Sequence, residues 1–311
     1  MFPLLGPHKH RNIWKIRMLP CHGQAFLFWY TLSNMEKLQN PEARTERIRY
    51  FQEKHLPESL RTQKKVNMVI AAGMELMYAR QANIEGLEKL PENGPFIVAA
   101  NHFNVRETEI LLAILKDYDA HIVASNKVHG EHPVRKIGLQ AIRGLSAPES
   151  LANLTNEEKQ ELIKRVPDTF VREKYQEVID QEESGELDRS GLIDFVKSSV
   201  ALLSRGDVLV IYPEGLWLYD GEGDNPRDHS LYKAYDGFSV VAEQYKKLTG
   251  EDVPIVPIGF SEKEGQREVK IGDPSTLRDN DTDLSNADWY MKQIAEILPE
   301  EQRGYYKNLE G

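Results

Sequence analysis

His102 follows an apolar run, Phe96-Ile97-Val98-Ala99-Ala100, after a single asparagine, and Glu107 stands five residues beyond it. The run reads as a buried strand that delivers the histidine to its carboxyl end, the edge at which open α/β sheets bind ligands. One helical turn later, the carboxylate reaches back to the ring. A carboxylate on one ring nitrogen fixes the tautomer and leaves the other nitrogen as a general base, as in hydrolase triads. Of nine histidines, only His102 has an acid at this offset. Acids are nonetheless frequent enough for one such pair to arise by chance, so the spacing alone leaves an ordinary surface or core histidine open.

The elements that must position this pair follow from texture. Short β-branched runs alternate with helical segments from about residue 86, the signature of a layered α/β domain. Strands are expected at 96–100, 121–124, 208–212, 255–260 and 268–271, with helices at 107–115, 133–142, 192–203, 235–247 and 287–298. The expected architecture is a mixed central sheet flanked by helices. Before it, residues 36–81 carry a helical pattern divided at Pro57, giving a helical N-terminal region over 1–85 and an α/β domain over 86–311. Residues 149–190 are highly charged and poor in aromatics, and they read as a helical insertion with too little apolar material for a core of its own.

Composition narrows the function classes. With 311 residues the chain can bury a sizeable core. Its net charge of -10 argues against sequence-independent nucleic-acid binding. A single cysteine, Cys21, forms no internal disulfide and points to a reducing, cytoplasmic address. The first 30 residues differ from the rest: Lys9, Arg11, Lys15 and Arg17 precede any acid and lie among Ile13, Trp14, Phe26, Phe28 and Trp29. That composition suits either a membrane interface or an arm packed on the domain. No apolar stretch there approaches the roughly 20 residues of a spanning helix. His129 and His132 at i and i+3 are a weak zinc pattern, and no metal is expected. Asp220-Gly221-Glu222-Gly223-Asp224-Asn225 lacks the glutamate a calcium loop needs at its twelfth position, where Leu231 stands. It reads instead as a loop over the site.

Two further segments give the pair a context. Val208-Leu209-Val210-Ile211-Tyr212-Pro213-Glu214-Gly215 is a strand ending in Pro-Glu-Gly, and Val253-Pro254-Ile255-Val256-Pro257-Ile258 is a strand punctuated by prolines. In order and separation, Asn101-His102 with Glu107, Tyr212-Pro213-Glu214-Gly215-Leu216 and 253–258 resemble the first, third and fourth motifs of the glycerolipid acyltransferases, the lysophosphatidic acid acyltransferase-like enzymes. The resemblance runs from about residue 66 to Pro274. Glu107 replaces the family's aspartate, and Leu216-Trp217 stand where the family commonly has Thr-Arg.

The resemblance implies transfer of a fatty acyl group from an acyl thioester, acyl-CoA or acyl carrier protein, to a hydroxyl of a glycerolipid such as 1-acylglycerol-3-phosphate, in phospholipid biosynthesis. It implies no cofactor. His102 would be the base and Glu107 its partner, while backbone amides around Glu214 and Gly215 would hold the oxyanion. Glu214 either binds acceptor hydroxyls or ties the strand end to a neighbouring loop. Arg143 is assigned to the acceptor, Lys127 to the donor, and Lys233 either faces a phosphate or is a plain surface lysine. The expected partners are a membrane lipid acceptor and a membrane surface, met peripherally on the inner face of the cell membrane. A thioester or lipid hydrolase and a catalytically degenerate lipid-binding relative remain alternatives; the hydrolase lacks a Gly-x-Ser-x-Gly nucleophile elbow.

Overall fold

The computed structural model describes residues 41–61, 82–102, 107–126, 143–148, 151, 155–166, 169–185, 190–215, 230–278 and 284–308. Seven strands, β1 (Ala82–Glu85), β2 (Phe96–Ala100), β3 (Ala120–Ser125), β4 (Leu145–Ala147), β5 (Val208–Ile211), β6 (Ile255–Lys263) and β7 (Gln266–Ile271), form one sheet in the order β1-β7-β6-β2-β5-β3-β4. Only β6 and β7 pair antiparallel, across a two-residue turn in which Glu264 and Gly265 both take positive φ. That is the turn whose twist matches a hairpin.

All five side chains of β2 are buried, as a parallel strand covered on both faces requires. Period-two alternation divides them. Ile97 and Ala99 face a core with Leu209, Ile211 and Ile255 and the helices α5 (Ser190–Ser204), α6 (Gly237–Thr249) and α7 (Asn286–Ile297). Phe96, Val98 and Ala100 face the other core, with Val208, Val210, Val256, Ile258 and α2 (Glu107–Ile114). The fold is therefore a mixed sheet with helices on both faces, as expected from sequence.

The N-terminal region departs from its expected boundary. Helix α1 (Pro41–His55) lies against α5 and α6, where Arg44 donates to the carbonyl of Thr249 (2.8 Å) and Arg47 to those of Lys247 and Leu248. These guanidinium groups serve carbonyls that the end of α6 leaves without a helical partner. Residues 82–85 are not part of a helical region: they form β1, parallel to β7. Four residues alternating between half-buried and exposed give too short a pattern to stand out in the sequence. β4 escaped notice for the same reason. The second expected helical piece, 60–78, lies mostly outside the described residues.

The charged insertion also differs from expectation. α3 (Asn156–Arg165) and α4 (Thr169–Ser184) close a small core of Leu151, Val166, Val171, Tyr175, Val178 and Ile179. Lys159, bonded to Glu182 at 3.0 Å, joins the two helices. Six apolar groups suffice because two helices crossing once have little surface to cover.

At the amino-terminal edge of the sheet lies a buried ionic cluster. Asp207 accepts from His121 Nε2 (2.7 Å) and from Arg205, and His121 Nδ1 donates to the carbonyl of Arg143 (3.1 Å). Arg205 also reaches the carbonyl of Leu60 (3.1 Å). Burial alone would raise the Asp207 carboxyl, but the hydrogen bonds from His121 and Arg205 outweigh it and hold it below its usual value. A folded-state value lower than the unfolded one stabilises the fold in full above the usual carboxylate range, and that stabilisation fades as pH falls below it. Asp207→Asn is thus expected to cost about 3–5 kcal/mol near neutral pH, since it breaks a buried pair. Denaturant curves should show its deficit shrinking in acid; a deficit that stays constant with pH would refute the assignment.

Candidate active site

β2 ends at Ala100, and the next two residues leave the sheet at its carboxyl edge. Asn101, 2% exposed, prolongs the pairing with its side chain: Nδ2 donates to the carbonyl of Phe260 (3.0 Å) and Oδ1 accepts its N–H (2.7 Å). A buried amide with both ends satisfied is a rigid joint. His102 therefore departs from a fixed point. Its Nδ1 donates to Oε2 of Glu107 at 3.1 Å. Glu107 is 2% exposed at the start of α2, where the helix dipole favours a carboxylate. The histidine side chain keeps 13% exposure. With Nδ1–H given to a buried carboxylate, the neutral ring carries its lone pair on Nε2, the form a general base needs.

Three other segments fasten the pair from behind. Oε1 of Glu214 accepts the backbone N–H of His102 (2.8 Å), and Oε2 accepts that of Tyr232 (3.0 Å). Glu214 thus ties the end of β5 to a neighbouring loop through backbone N–H groups. The Gly215 amide donates to the carbonyl of Tyr212 (3.0 Å) and closes a turn. The residue has φ +65, and a Cβ there would meet the Tyr235 ring at 2.9 Å, so the position demands glycine.

The loop carrying Tyr232 is itself clamped by the short helical turns Glu300–Gln302 and Gly304–Tyr306. Leu231 donates to the carbonyl of Gln302 (3.0 Å) and accepts from Tyr305 (2.9 Å). The Tyr306 hydroxyl accepts from the amide of Ala234 (2.8 Å) and donates to Asp288 (2.9 Å). Nothing in the sequence around 300–306 marks it as a support of the site, because the link pairs backbone groups and the Tyr306 hydroxyl with residues far away in the chain.

Of the other anticipated residues, Arg143 and Lys233 are among those described. Arg143 is a correction: it is 1% exposed and sits at the opposite edge of the sheet, with Nη1 on Asp119 Oδ1 (2.8 Å) and its carbonyl on His121. A guanidinium enclosed there has no route to an acceptor at the carboxyl edge. Lys233 is exposed, with Nζ 5.9 Å from the centre of the Tyr305 ring, one residue from the Tyr232 tie. Lys127, the His129–His132 pattern and the 220–225 loop lie outside the described residues. Among the described residues, no group of three or more His, Cys, Asp or Glu is placed to hold a metal ion.

No protein-family model and no curated protein matches the chain. Among solved structures, it is similar to the crystal structure of the 1-acyl-sn-glycerophosphate (LPA) acyltransferase PlsC from Thermotoga maritima. The identity is 13%, the match covers 81% of this chain and 86% of that one, and the TM-score is 0.40.

Proposed function

We propose that the chain is an acyltransferase that moves a fatty acyl group from an acyl thioester, acyl-CoA or acyl carrier protein, to a hydroxyl of a glycerolipid acceptor, in phospholipid biosynthesis. The observation that carries this reading is the His102–Glu107 pair, at 3.1 Å, on the carboxyl edge of a sheet. A weakly acidic hydroxyl must lose its proton as it attacks the thioester carbonyl, and Nε2 takes it. The tetrahedral intermediate then collapses with loss of the thiol, to which the imidazolium returns the proton. Glu107 stabilises that imidazolium. Lys233 supplies positive charge at the rim for an anionic headgroup. The three ordered motifs favour the same reaction. Mass spectrometry of products from a panel of lysolipids and acyl thioesters tests it: acylated lipid supports transfer, whereas free fatty acid alone would show a hydrolase and no turnover a binding protein.

The membrane contact belongs to the same proposal. Among the described residues, no helix is long and apolar enough to cross a membrane; on this proposal a bilayer acceptor is met at the surface. Residues 1–30, which lie outside the described ones, carry the basic and aromatic side chains for it. Four basic groups contribute about 1 kcal/mol each at an anionic surface, and salt weakens them by screening. A chain beginning at Gln39 is expected to lose co-sedimentation with anionic liposomes and to keep activity on detergent-dispersed lipid. Undiminished binding would move the contact elsewhere, to the apolar side of 66–78.

A further inference from the structure

The ring of His102 stacks on that of Tyr212, with centroids 4.5 Å apart and planes at 24°. The Tyr212 hydroxyl is 3.1 Å from Oγ1 of Thr108, the residue after Glu107 in the first turn of α2. Tyr212 therefore touches the imidazole with its face, and its tip is bonded to the helix that carries the carboxylate. From these contacts we infer that Tyr212 is a positioning residue that locks the plane of His102 in register with Glu107.

The geometry explains why a pair needs a third member. The hydrogen bond from Nδ1 restrains distance but leaves the ring free to turn about the line joining it to Glu107. A flat neighbour removes that freedom, and Nε2 is then aimed in one direction. Misplacement of a reacting group by about 1 Å costs on the order of 100-fold in rate. The hydroxyl completes the lock, because its bond to Thr108 ties the end of β5 directly to the start of α2. Burial, with the Glu107 carboxylate adding to it, pushes the phenol above its usual value, so the hydroxyl stays neutral and remains a hydrogen-bond partner throughout the working pH range. The aromatic face also suits the imidazolium that forms when the base takes its proton.

The inference rests on His102 being the base, and the test separates the two. Full-length Tyr212→Phe, Thr108→Val, the double variant, Tyr212→Leu and His102→Ala would be compared by steady-state acyl transfer and by 15N and 1H NMR of the histidine rings, His102→Ala assigning the His102 signals. Tyr212→Phe and Thr108→Val are each expected to lower kcat about 5-fold with KM unchanged, and the double variant no further, because both remove one interaction. Tyr212→Leu should lower kcat on the order of 100-fold and broaden or shift the Nδ1–H resonance of His102. Wild-type kcat and unaltered His102 resonances in Tyr212→Leu would overturn the inference. If that variant fails to fold, additive losses, or no loss, in the Tyr212→Phe and Thr108→Val pair would overturn it instead. Activity retained in His102→Ala, with Tyr212→Leu still disturbing the His102 ring, would remove the general base and leave the positioning role standing.

Discussion

His102→Ala is expected to lower acyl transfer by on the order of 100-fold or more while leaving the protein folded. The ring contributes little to the cores: it lies beyond the end of β2, and the two contacts that anchor this stretch of backbone, Asn101 with Phe260 and the His102 amide with Glu214, do not involve the imidazole. Its loss removes the acceptor of the hydroxyl proton and nothing that β2 needs. Glu107→Gln gives a companion measurement. The amide still fills the buried space and still accepts from Nδ1–H, but it cannot neutralise the imidazolium, so kcat should fall while donor binding persists. Glu107→Asp keeps the charge on a side chain one methylene shorter and should keep part of the activity. Near-native turnover in purified His102→Ala would sink the base assignment; equal turnover in Glu107→Gln and the parent would make the carboxylate structural.

Glu214→Gln is expected to lower both stability and activity, although the two side chains are nearly the same shape. Glu214 is 2% exposed, and each of its oxygens faces a backbone N–H. An amide has only one oxygen, so its NH2 must point at one of those donors. One buried N–H is left unsatisfied, at a cost of about 1–3 kcal/mol, and a charge-assisted bond is lost as well. If the His102 amide is the one abandoned, the base shifts and kcat falls; if Tyr232 is, the loop behind the site loosens. Thermal denaturation with steady-state kinetics would show a lowered Tm and a lowered kcat together. Unchanged stability with a raised KM alone would instead restore Glu214 to contact with the acceptor.

What could be read from the sequence, and what could not, divides along the range of the interactions. The five predicted strands and the helices 107–114, 190–204, 237–249 and 286–297 carry their own signal, an apolar run or a helical period within one segment. The His102–Glu107 pair was legible because both members lie within five residues. Arg143 was misplaced because a motif fixes position along the chain and says nothing about which edge of the sheet a buried guanidinium faces. Glu214 could be found as a residue while its partners could not, since they are amides of His102 and Tyr232. Tyr212 stood within a recognised motif, but its contact with Thr108, 104 residues away, was not legible there.

The distances along the chain that hold His102 have a consequence for how the protein is made. Its amide waits for Glu214, 112 residues later, and Asn101 waits for Phe260, 159 residues later. At roughly 5–20 residues per second of translation, β2 emerges about 10–30 s before β6 is available to pair with it. One edge of this all-apolar strand is covered once β5 follows, but the edge that β6 covers stays open for the whole interval, which is the condition that invites pairing with other chains. The loop bearing Tyr232 is secured later still, once Tyr306, 72 residues beyond Ala234, has left the ribosome. Until residue 306 has emerged, a growing chain therefore carries His102 and Glu107 without the full set of fastenings that aim them.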